Sequence, residues 1–243
     1  MVALTMGNTY FQFKQFVIHQ DKSAMKVSTD GCILGAWAAQ HIPPSAKNIL
    51  DIGSGTGVLM LMIAQKFPVE ISGIEMESEA FKQGTQNLKE SPWSGKLNNY
   101  YGDVRSFSTE KKFDFIISNP PFHENQLKGP VSEKNLAHHS TLLNLDELLG
   151  AIKNLLSENG RFMLLIPHYR KAELVASAAS YGFYPFHELT IHSSPLHSPF
   201  RLIISFAANK EAEHKNEKFV IKDSTGNYTV EFKTLMQDYY LHL

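Results

Sequence analysis

The segment Ser118-Asn119-Pro120-Pro121-Phe122 combines groups that suit chemistry on a poorly nucleophilic amine. Its two prolines stiffen the backbone and lack N–H donors, so the carbonyl groups around them point in fixed directions. An exocyclic amine on a base delocalises its lone pair into the ring. If the Asn119 side-chain oxygen and the Pro120 carbonyl accepted its two hydrogens, the lone pair would face a sulfonium methyl group. Phe122 could stack on the base, so we predict that Asn119, Pro120 and Phe122 are catalytic.

A glycine-rich loop, Asp51-Ile52-Gly53-Ser54-Gly55-Thr56-Gly57, stands between a short apolar run and a helical pattern. Glycines let backbone N–H groups approach a ligand closely, and a helix N-terminus favours a carboxylate or a phosphate. The G-x-G-x-G spacing differs from the G-x-G-x-x-G of dinucleotide binders. The preceding acid suits a cationic amino group better than a pyrophosphate. The predicted cofactor-binding residues of this loop are Asp51, Gly53, Gly55 and Gly57.

Two further acids stand at the ends of the next two predicted strands. Glu75 ends the second strand, where its carboxylate could accept hydrogen bonds from both hydroxyls of a ribose. Asp103 follows the third strand and could accept one from an adenine amine. The carboxyl ends of parallel strands meet at one edge of a sheet. Three acids at successive strand ends therefore fit one extended adenosyl ligand such as S-adenosylmethionine.

The elements that must position these residues alternate between strand and helix from residue 48 onward. The predicted strands are Asn48–Ile52, Val69–Glu75, Leu97–Tyr101, Phe113–Ser118, Gly160–Ile166, His187–His192 and Phe200–Ala207. The predicted helices are Gly57–Lys66, Ser78–Glu90, Leu145–Leu156 and Tyr169–Tyr181. This alternation predicts an α/β fold with a doubly wound, mostly parallel sheet. The last two strands have no helix between them and should pair antiparallel, which gives the seven-stranded, Rossmann-like sheet with a terminal antiparallel strand that class I methyltransferases have.

We expect a single methyltransferase domain over residues 1–243 with three parts. They are an N-terminal β-hairpin at 8–30, a cofactor-binding core at 45–208 and a C-terminal appendage at 209–243. Alternating apolar and polar residues predict the hairpin within Tyr10–Ser28. The polar run Asn209–Lys218 predicts an exposed hinge, and Phe219–Tyr240 a small strand–turn–helix unit.

Composition excludes several classes of protein. The chain has 243 residues, a net charge of −1 and a single cysteine, Cys32, so no intrachain disulfide can form. No apolar run approaches the ~20 residues that span a bilayer, and the N-terminus does not resemble a signal peptide. We therefore expect a cytoplasmic protein. The eleven histidines show no ligand spacing along the chain, so no metal site is expected. Cys32 lies outside the Asn119 loop and is no candidate nucleophile for methylating a ring carbon.

The motifs together resemble a known family. The residues Asp51–Gly57, Glu75, Asp103 and Asn119–Phe122 are similar to those of the N-P-P-[FY] amino-methyltransferases, which are class I enzymes that depend on S-adenosylmethionine. The segment Lys26–Trp37, with the run Lys-Val-Ser-Thr-Asp-Gly, resembles one bacterial branch. Members of that branch methylate N6 of the adenine at position 37 of tRNA1(Val).

The resemblance implies further roles. In that branch the Lys-Val-Ser-Thr-Asp segment closes over the methionine end of the cofactor, which implies that Lys26, Thr29 and Asp30 bind it. It also implies a tRNA anticodon loop as substrate, adenine as the acceptor base, and a monomer. The N-terminal hairpin and the C-terminal appendage would then serve RNA placement more than chemistry.

Other functions remain open at this point. Phe122-His123 also resembles ribosomal-RNA guanine-N2 methyltransferases, and protein glutamine N5-methyltransferases use the same N-P-P-aromatic loop on an amide. A non-catalytic RNA-binding domain is a third alternative. The first two groups usually carry an extra N-terminal domain, whereas this chain has a β-rich segment there. Where an Ala-Arg-aromatic element is expected, the chain has Ala137-His138-His139-Ser140, which argues against a bidentate phosphate contact there.

Overall fold

The computed structural model describes residues 8–121, 143–211 and 213–243. Its strands are β1 (Tyr10–Gln12), β2 (Val17–His19), β3 (Asn48–Ile52), β4 (Glu70–Glu75), β5 (Leu97–Tyr101), β6 (Phe113–Ser118), β7 (Leu156–Pro167), β8 (Tyr184–His192), β9 (Arg201–Ala207) and β10 (Lys215–Val220). Its α-helices are α1 (Thr29–His41), α2 (Val58–Ala64), α3 (Ser78–Lys89), α4 (Leu145–Leu155), α5 (Lys171–Ser180) and α6 (Val230–Met236). All seven predicted strands and all four predicted helices are present, with shifts of one to four residues at some ends.

The central sheet confirms the predicted fold class. Its strand order is β10-β8-β9-β7-β6-β3-β4-β5. Only β9 among these strands runs against its neighbours, and it lies between β7 and β8. One apolar cluster packs on each face of the sheet, so the side chains of the central strands are buried on both sides. The loops that carry the motifs lie at the carboxyl edge of the sheet.

The described sheet has eight strands where seven were predicted. The eighth is β10, which pairs in parallel with β8 from Lys215↔His187 to Val220↔His192. The predicted exposed hinge at Asn209–Lys218 is therefore wrong for residues 215–218. These four residues are exposed and polar, as is common on edge strands, and for that reason they lack the apolar pattern of a strand.

Helix α1 has no counterpart among the predicted elements. Its residues from Gly31 to Ala38 are all buried. A helix that is covered on every side has no polar face, so its sequence shows no helical periodicity. Ser28 begins the helix because its side-chain oxygen accepts a hydrogen bond from Gly31 N at 3.3 Å. The helix places the Lys26–Asp30 segment at one end and His41 at the other.

The two ends of the chain meet on the core. Strands β1 and β2 form the predicted hairpin, although only residues 10–19 of the predicted range take part. Lys14 N donates to Tyr239 O at 2.8 Å. In α6 and just after it, Phe232, Met236 and Tyr239 are buried in the same apolar cluster as α1. The C-terminal segment is thus packed into the core, and its removal should expose apolar surface.

None of the helices in the described ranges is long and apolar enough to cross a membrane.

Candidate active site

The carboxyl edge of the sheet brings the predicted site residues onto neighbouring strand ends. Strand β3 lies between β4 and β6, with Ile52 opposite both Ile74 and Ser118. The loop after β3, Glu75 at the end of β4 and Asn119 just after β6 are therefore adjacent. Strand β5 lies beyond β4, and Asp103 follows it. The three acids thus lie along this edge in the order of β3, β4 and β5, and their contacts with one extended ligand stay a prediction.

The loop after β3 depends on its glycines for backbone conformation. Gly53, Gly55 and Gly57 have φ angles of 74°, 51° and 80°, and no other type of residue in the described ranges has a positive φ. A Cβ on Gly53 would meet no atom within 4 Å. Glycine is therefore needed at this position for the left-handed conformation and not for lack of space. The space above the loop is open to a ligand. The loop is anchored because Gly53 N and Ser54 N both donate to the Ile74 carbonyl, at 2.9 and 3.2 Å.

Asp51 is fully buried, and neither of its carboxyl oxygens has a hydrogen-bond partner among the described residues. Burial, together with the negative charge of Glu75, raises the pKa of Asp51 to about 8. A buried carboxylate without a partner is unfavourable, so it has a strong tendency to take up a proton or a cation. This orphaned acid beside the open loop fits the ammonium group of an amino-acid-bearing cofactor.

Glu75 faces the loop after β3 and is also hydrogen-bonded to it. Its Oε2 accepts a hydrogen bond from Gly55 N at 2.9 Å, and its Oε1 accepts one from Glu77 N at 2.8 Å. Each carboxylate oxygen has a second lone pair, so the predicted acceptance from ribose hydroxyls remains available. Glu75 therefore also fixes the glycine loop, in addition to its predicted role toward a ribose.

Asp103 already has a partner. Arg105 Nε donates to its two carboxyl oxygens at 3.0 and 2.8 Å, and Arg105 Nη1 reaches Glu147 Oε1 at 3.2 Å. The hydrogen bonds from Arg105 lower the pKa of Asp103. An ionised carboxylate keeps further lone pairs, but this one is partly exposed to water and already satisfied by Arg105.

Asn119 stands where β6 meets the N-terminus of α1. Its Nδ2 lies 3.9 Å from Met25 Sδ, and 3.7 Å from the position that a Cβ on Gly31 would take. The preceding Ser118 donates its Oγ hydrogen to the Ile52 carbonyl at 2.7 Å, which ties the Asn119 loop to the loop after β3. Pro120 is buried. Phe122, like Ala137–Ser140, lies outside the described residues.

Thr29 and Asp30 begin α1, close to Asn119, and Lys26 lies three residues before the helix. Each of the three has a partner within the protein. Lys26 Nζ donates to the Gln20 carbonyl. Asp30 Oδ2 accepts from Arg201 Nε at 2.8 Å. The hydroxyl groups of Thr29 and Tyr240 are hydrogen-bonded. In this arrangement the three residues shape the wall of the site, and direct contact with a cofactor stays a prediction.

Residues that the motif analysis did not single out support the glycine loop from α3. A Cβ on Gly84 would approach the Gly55 carbonyl to 2.3 Å, so only glycine fits there. Asn87 Nδ2 donates to the carbonyls of Thr56 and His19, both at 2.9 Å, and so joins the loop to the hairpin. The signal was present in the sequence. Gly84 and Asn87 follow Ala80 at helical spacing, so small and amide residues occupy the inward face of a polar helix.

Comparisons with known proteins agree with this geometry. Residues 36–179 match the methyltransferase small domain family. A tRNA1(Val) (adenine(37)-N6)-methyltransferase of Phocaeicola vulgatus is 37% identical over 98% of this chain and 100% of that protein. The one of Christiangramia forsetii is 39% identical with the same coverage.

Solved structures share the fold. A predicted O-methyltransferase from Agrobacterium tumefaciens has a TM-score of 0.66 at 15% identity, covering 85% of this chain and 95% of that one. The glycopeptide N-methyltransferase MtfA, complexed with S-adenosyl-L-methionine, has a TM-score of 0.56 at 12% identity, covering 75% and 99%.

Fold and motifs thus define a Rossmann-like class I methyltransferase. Within that class, the near-complete match to curated relatives shows that the chain belongs to the tRNA1(Val) (adenine(37)-N6)-methyltransferase family.

Proposed function

We propose that this protein transfers a methyl group from S-adenosylmethionine to N6 of the adenine at position 37 of tRNA1(Val). The observation that carries the proposal is the placement of Asn119 and Pro120 directly beside the glycine loop, fixed by the Ser118–Ile52 hydrogen bond. Relatives at 34–39% identity over nearly the whole chain bear the name of this activity. The fold is the one on which such chemistry is done.

The residues present fit the cofactor. Asp51, buried and unpartnered, would accept hydrogen bonds from the ammonium group of its methionine end. The open left-handed glycines would let backbone N–H groups approach it, and Glu75 would accept from its ribose. The cofactor supplies an electrophilic methyl group on a sulfonium, so the protein needs no metal or covalent nucleophile for the transfer itself.

The contribution of the protein to the chemical step is orientation. The Asn119 Oδ1 and the Pro120 carbonyl would accept the two hydrogens of the adenine N6 amine. The Ser118–Ile52 hydrogen bond fixes the backbone that carries both acceptors, so little reorganisation would be needed when the amine nitrogen develops positive charge. A strong general base is unnecessary because the amine becomes acidic only as it is methylated.

The test is transfer of tritiated methyl groups to purified tRNA, followed by digestion to nucleosides. We expect label in N6-methyladenosine from tRNA1(Val), and none from a transcript in which adenine 37 is replaced by guanine. Label in N2-methylguanosine, or in glutamine of a protein fraction, would overturn the adenine assignment. A cytoplasmic location and a monomeric state stay predictions.

A further inference from the structure

Two histidines and a glutamate converge on the β8–β10 side of the sheet, at the end of α1 that lies away from the candidate active site. They are His41 at the end of α1, His187 in β8 and Glu217 in β10. One ligand atom from each lies within 4.8 Å of the others, and this is the only such group of three in the described ranges. Because the three come from distant parts of the chain, spacing along the sequence does not reveal them.

The hydrogen bonds of His41 prepare it to act as a ligand. Its Nδ1 lies 2.8 Å from the Trp37 carbonyl oxygen. A carbonyl can only accept, so Nδ1 carries the hydrogen and the neutral ring has its lone pair on Nε2. This arrangement, with one ring nitrogen donating to a backbone carbonyl, is the usual support of a metal-bound histidine. The rings of His41 and His187 also pack on Trp37, with centroids at 4.3 and 4.7 Å, which limits their rotation.

His187 and Glu217 already share a contact. The His187 Nε2 and Glu217 Oε1 atoms are 2.5 Å apart. His187 is buried, whereas the Glu217 side chain is 50% exposed and free to adjust. In a tetrahedral zinc site, metal–ligand bonds of about 2.0–2.2 Å place the ligand atoms about 3.3–3.5 Å apart. The His187–Glu217 separation is shorter than this value, and all three ligand atoms lie within 4.8 Å of one another, so modest side-chain adjustments would suffice.

The surroundings favour a cation. The group opens into a cavity of about 490 Å³. Charged side chains lining it include three carboxylates and two cations, namely Glu211, Glu213 and Glu217 against Arg161 and Lys215. Arg161 is paired with Glu211 at 2.7 Å. Negative charge is therefore in excess around the two histidines.

We propose that His41, His187 and Glu217 form a zinc site that fastens the C-terminal strand β10 to β8 and α1. Two imidazole nitrogens and one carboxylate oxygen are common zinc ligands, and water would complete the tetrahedron. Three protein ligands and a water make this an open type of zinc site, whose proposed role is to hold the three elements together. Helix α1 separates it from the Lys26–Asp30 segment by roughly 18 Å at about 1.5 Å per residue, so it does not contact the methyl-transfer residues.

Zinc titration of the full-length, tag-free protein, stripped with a chelator, tests the proposal. Calorimetry should show saturable binding of one Zn²⁺ per chain. The melting temperature should rise with Zn²⁺ concentration, because a ligand of the folded state stabilises it by mass action. Mg²⁺ should have neither effect, since it prefers all-oxygen sites.

Substitutions of the three proposed ligands test whether zinc binds at this place. His41→Gln, His187→Gln and Glu217→Gln should each weaken zinc binding by about ten-fold or more. His214→Gln is the matched control, because His214 is also paired with a glutamate, Glu188 at 3.0 Å, only three residues from Glu217. Its zinc affinity should equal that of the unaltered protein.

Three outcomes would overturn the proposal. They are no saturable binding by the unaltered protein, full affinity in Glu217→Gln and His41→Gln, or an equal loss in His214→Gln. Because His187 is buried and His187→Gln could fail to fold, the exposed Glu217 keeps the test decisive.

Discussion

Two aspartates lie near the carboxyl ends of parallel strands, Asp51 within β3 and Asp103 two residues after β5, and the protein treats them in opposite ways. Asp51 is fully buried with both oxygens unpartnered, and its pKa is raised to about 8. Asp103 is partly exposed and bound to Arg105, and its pKa is lowered. Both residues are aspartates near the carboxyl end of a strand, one within the strand and one just after it. Burial and the presence of a cationic partner account for the difference.

The contrast distinguishes an acid that lacks a partner until a ligand binds from an acid that already has one. Asp51 gains most from a cationic group, because binding replaces an unfavourable buried acid with an ion pair. Asp103 gains little, because Arg105 and water already satisfy it. The methionine end of the cofactor should therefore supply more binding free energy through its acid than the adenine end does.

Asn119→Ala should give the largest effect. That effect is the reference with which the substitutions of Asp51 and Asp103 are compared. The substitution removes one of the two acceptors for the amine hydrogens, so kcat should fall by about 10²–10³. Affinity for S-adenosylmethionine should change much less. Single-turnover methylation of tRNA1(Val) and calorimetric titration of the cofactor measure the two quantities separately. A loss of cofactor affinity as large as the loss of rate would mean that Asn119 belongs to the Asp51 region rather than to the chemical step.

Asp51→Asn should weaken cofactor binding by about 1.5–3 kcal/mol, roughly 10- to 150-fold, because the amide cannot form a charge-assisted hydrogen bond with the ammonium group. The same substitution should stabilise the cofactor-free protein near neutral pH, since it removes a buried ionisable group. Calorimetric titration and thermal melting of one preparation give both values. An affinity unchanged within two-fold would show that Asp51 does not face the cofactor.

The stability of the cofactor-free protein should depend on pH with opposite signs at the two acids. The pKa of Asp51 rises on folding from 3.8 to about 8. Its contribution is therefore complete below about pH 4 and is lost as the pH rises to about 8, at no more than roughly 1.4 kcal/mol per pH unit. The pKa of Asp103 is lowered, so its smaller contribution is present at neutral pH and is lost on acidification.

Melting temperatures of the unaltered protein and Asp51→Asn between pH 5 and pH 8 check the larger of these two effects. The advantage of the variant should grow as the pH rises. A constant difference across this range would contradict the raised pKa of Asp51.

Asp103→Ala should have the smallest effect, weakening cofactor binding by about 0.5–1.5 kcal/mol, roughly two- to twelve-fold. Arg105→Ala is its matched control. It removes the same ion pair and leaves the carboxylate, so it should preserve or slightly strengthen affinity. Calorimetry on both variants decides the point. If Asp103→Ala costs as much as Asp51→Asn, burial is not what distinguishes the two acids.

Local sequence patterns were enough to predict seven of the eight described strands of the central sheet, four of the helices and the positions of the motifs. The glycines after β3 and the prolines after β6 restrict the backbone within a few residues, so their effect can be deduced from residue type alone. The order β6-β3-β4 is visible only in the structure, whereas the alternation of strands and helices predicts that the parallel strands present their carboxyl ends at one edge. For the same reason the predicted site residues on these strands fall on one edge of the sheet.

Other features depend on contacts between residues far apart in the chain. Helix α1 is covered on all sides and β10 is an exposed edge, so neither has the periodicity that marks a strand or helix. Gly84 and Asn87 support the loop from α3, and His41, His187 and Glu217 meet only after α1, β8 and β10 have packed. The different states of Asp51 and Asp103 arise in the same way. Burial and pairing are properties of the neighbours that folding supplies, and a residue does not carry them in its own sequence.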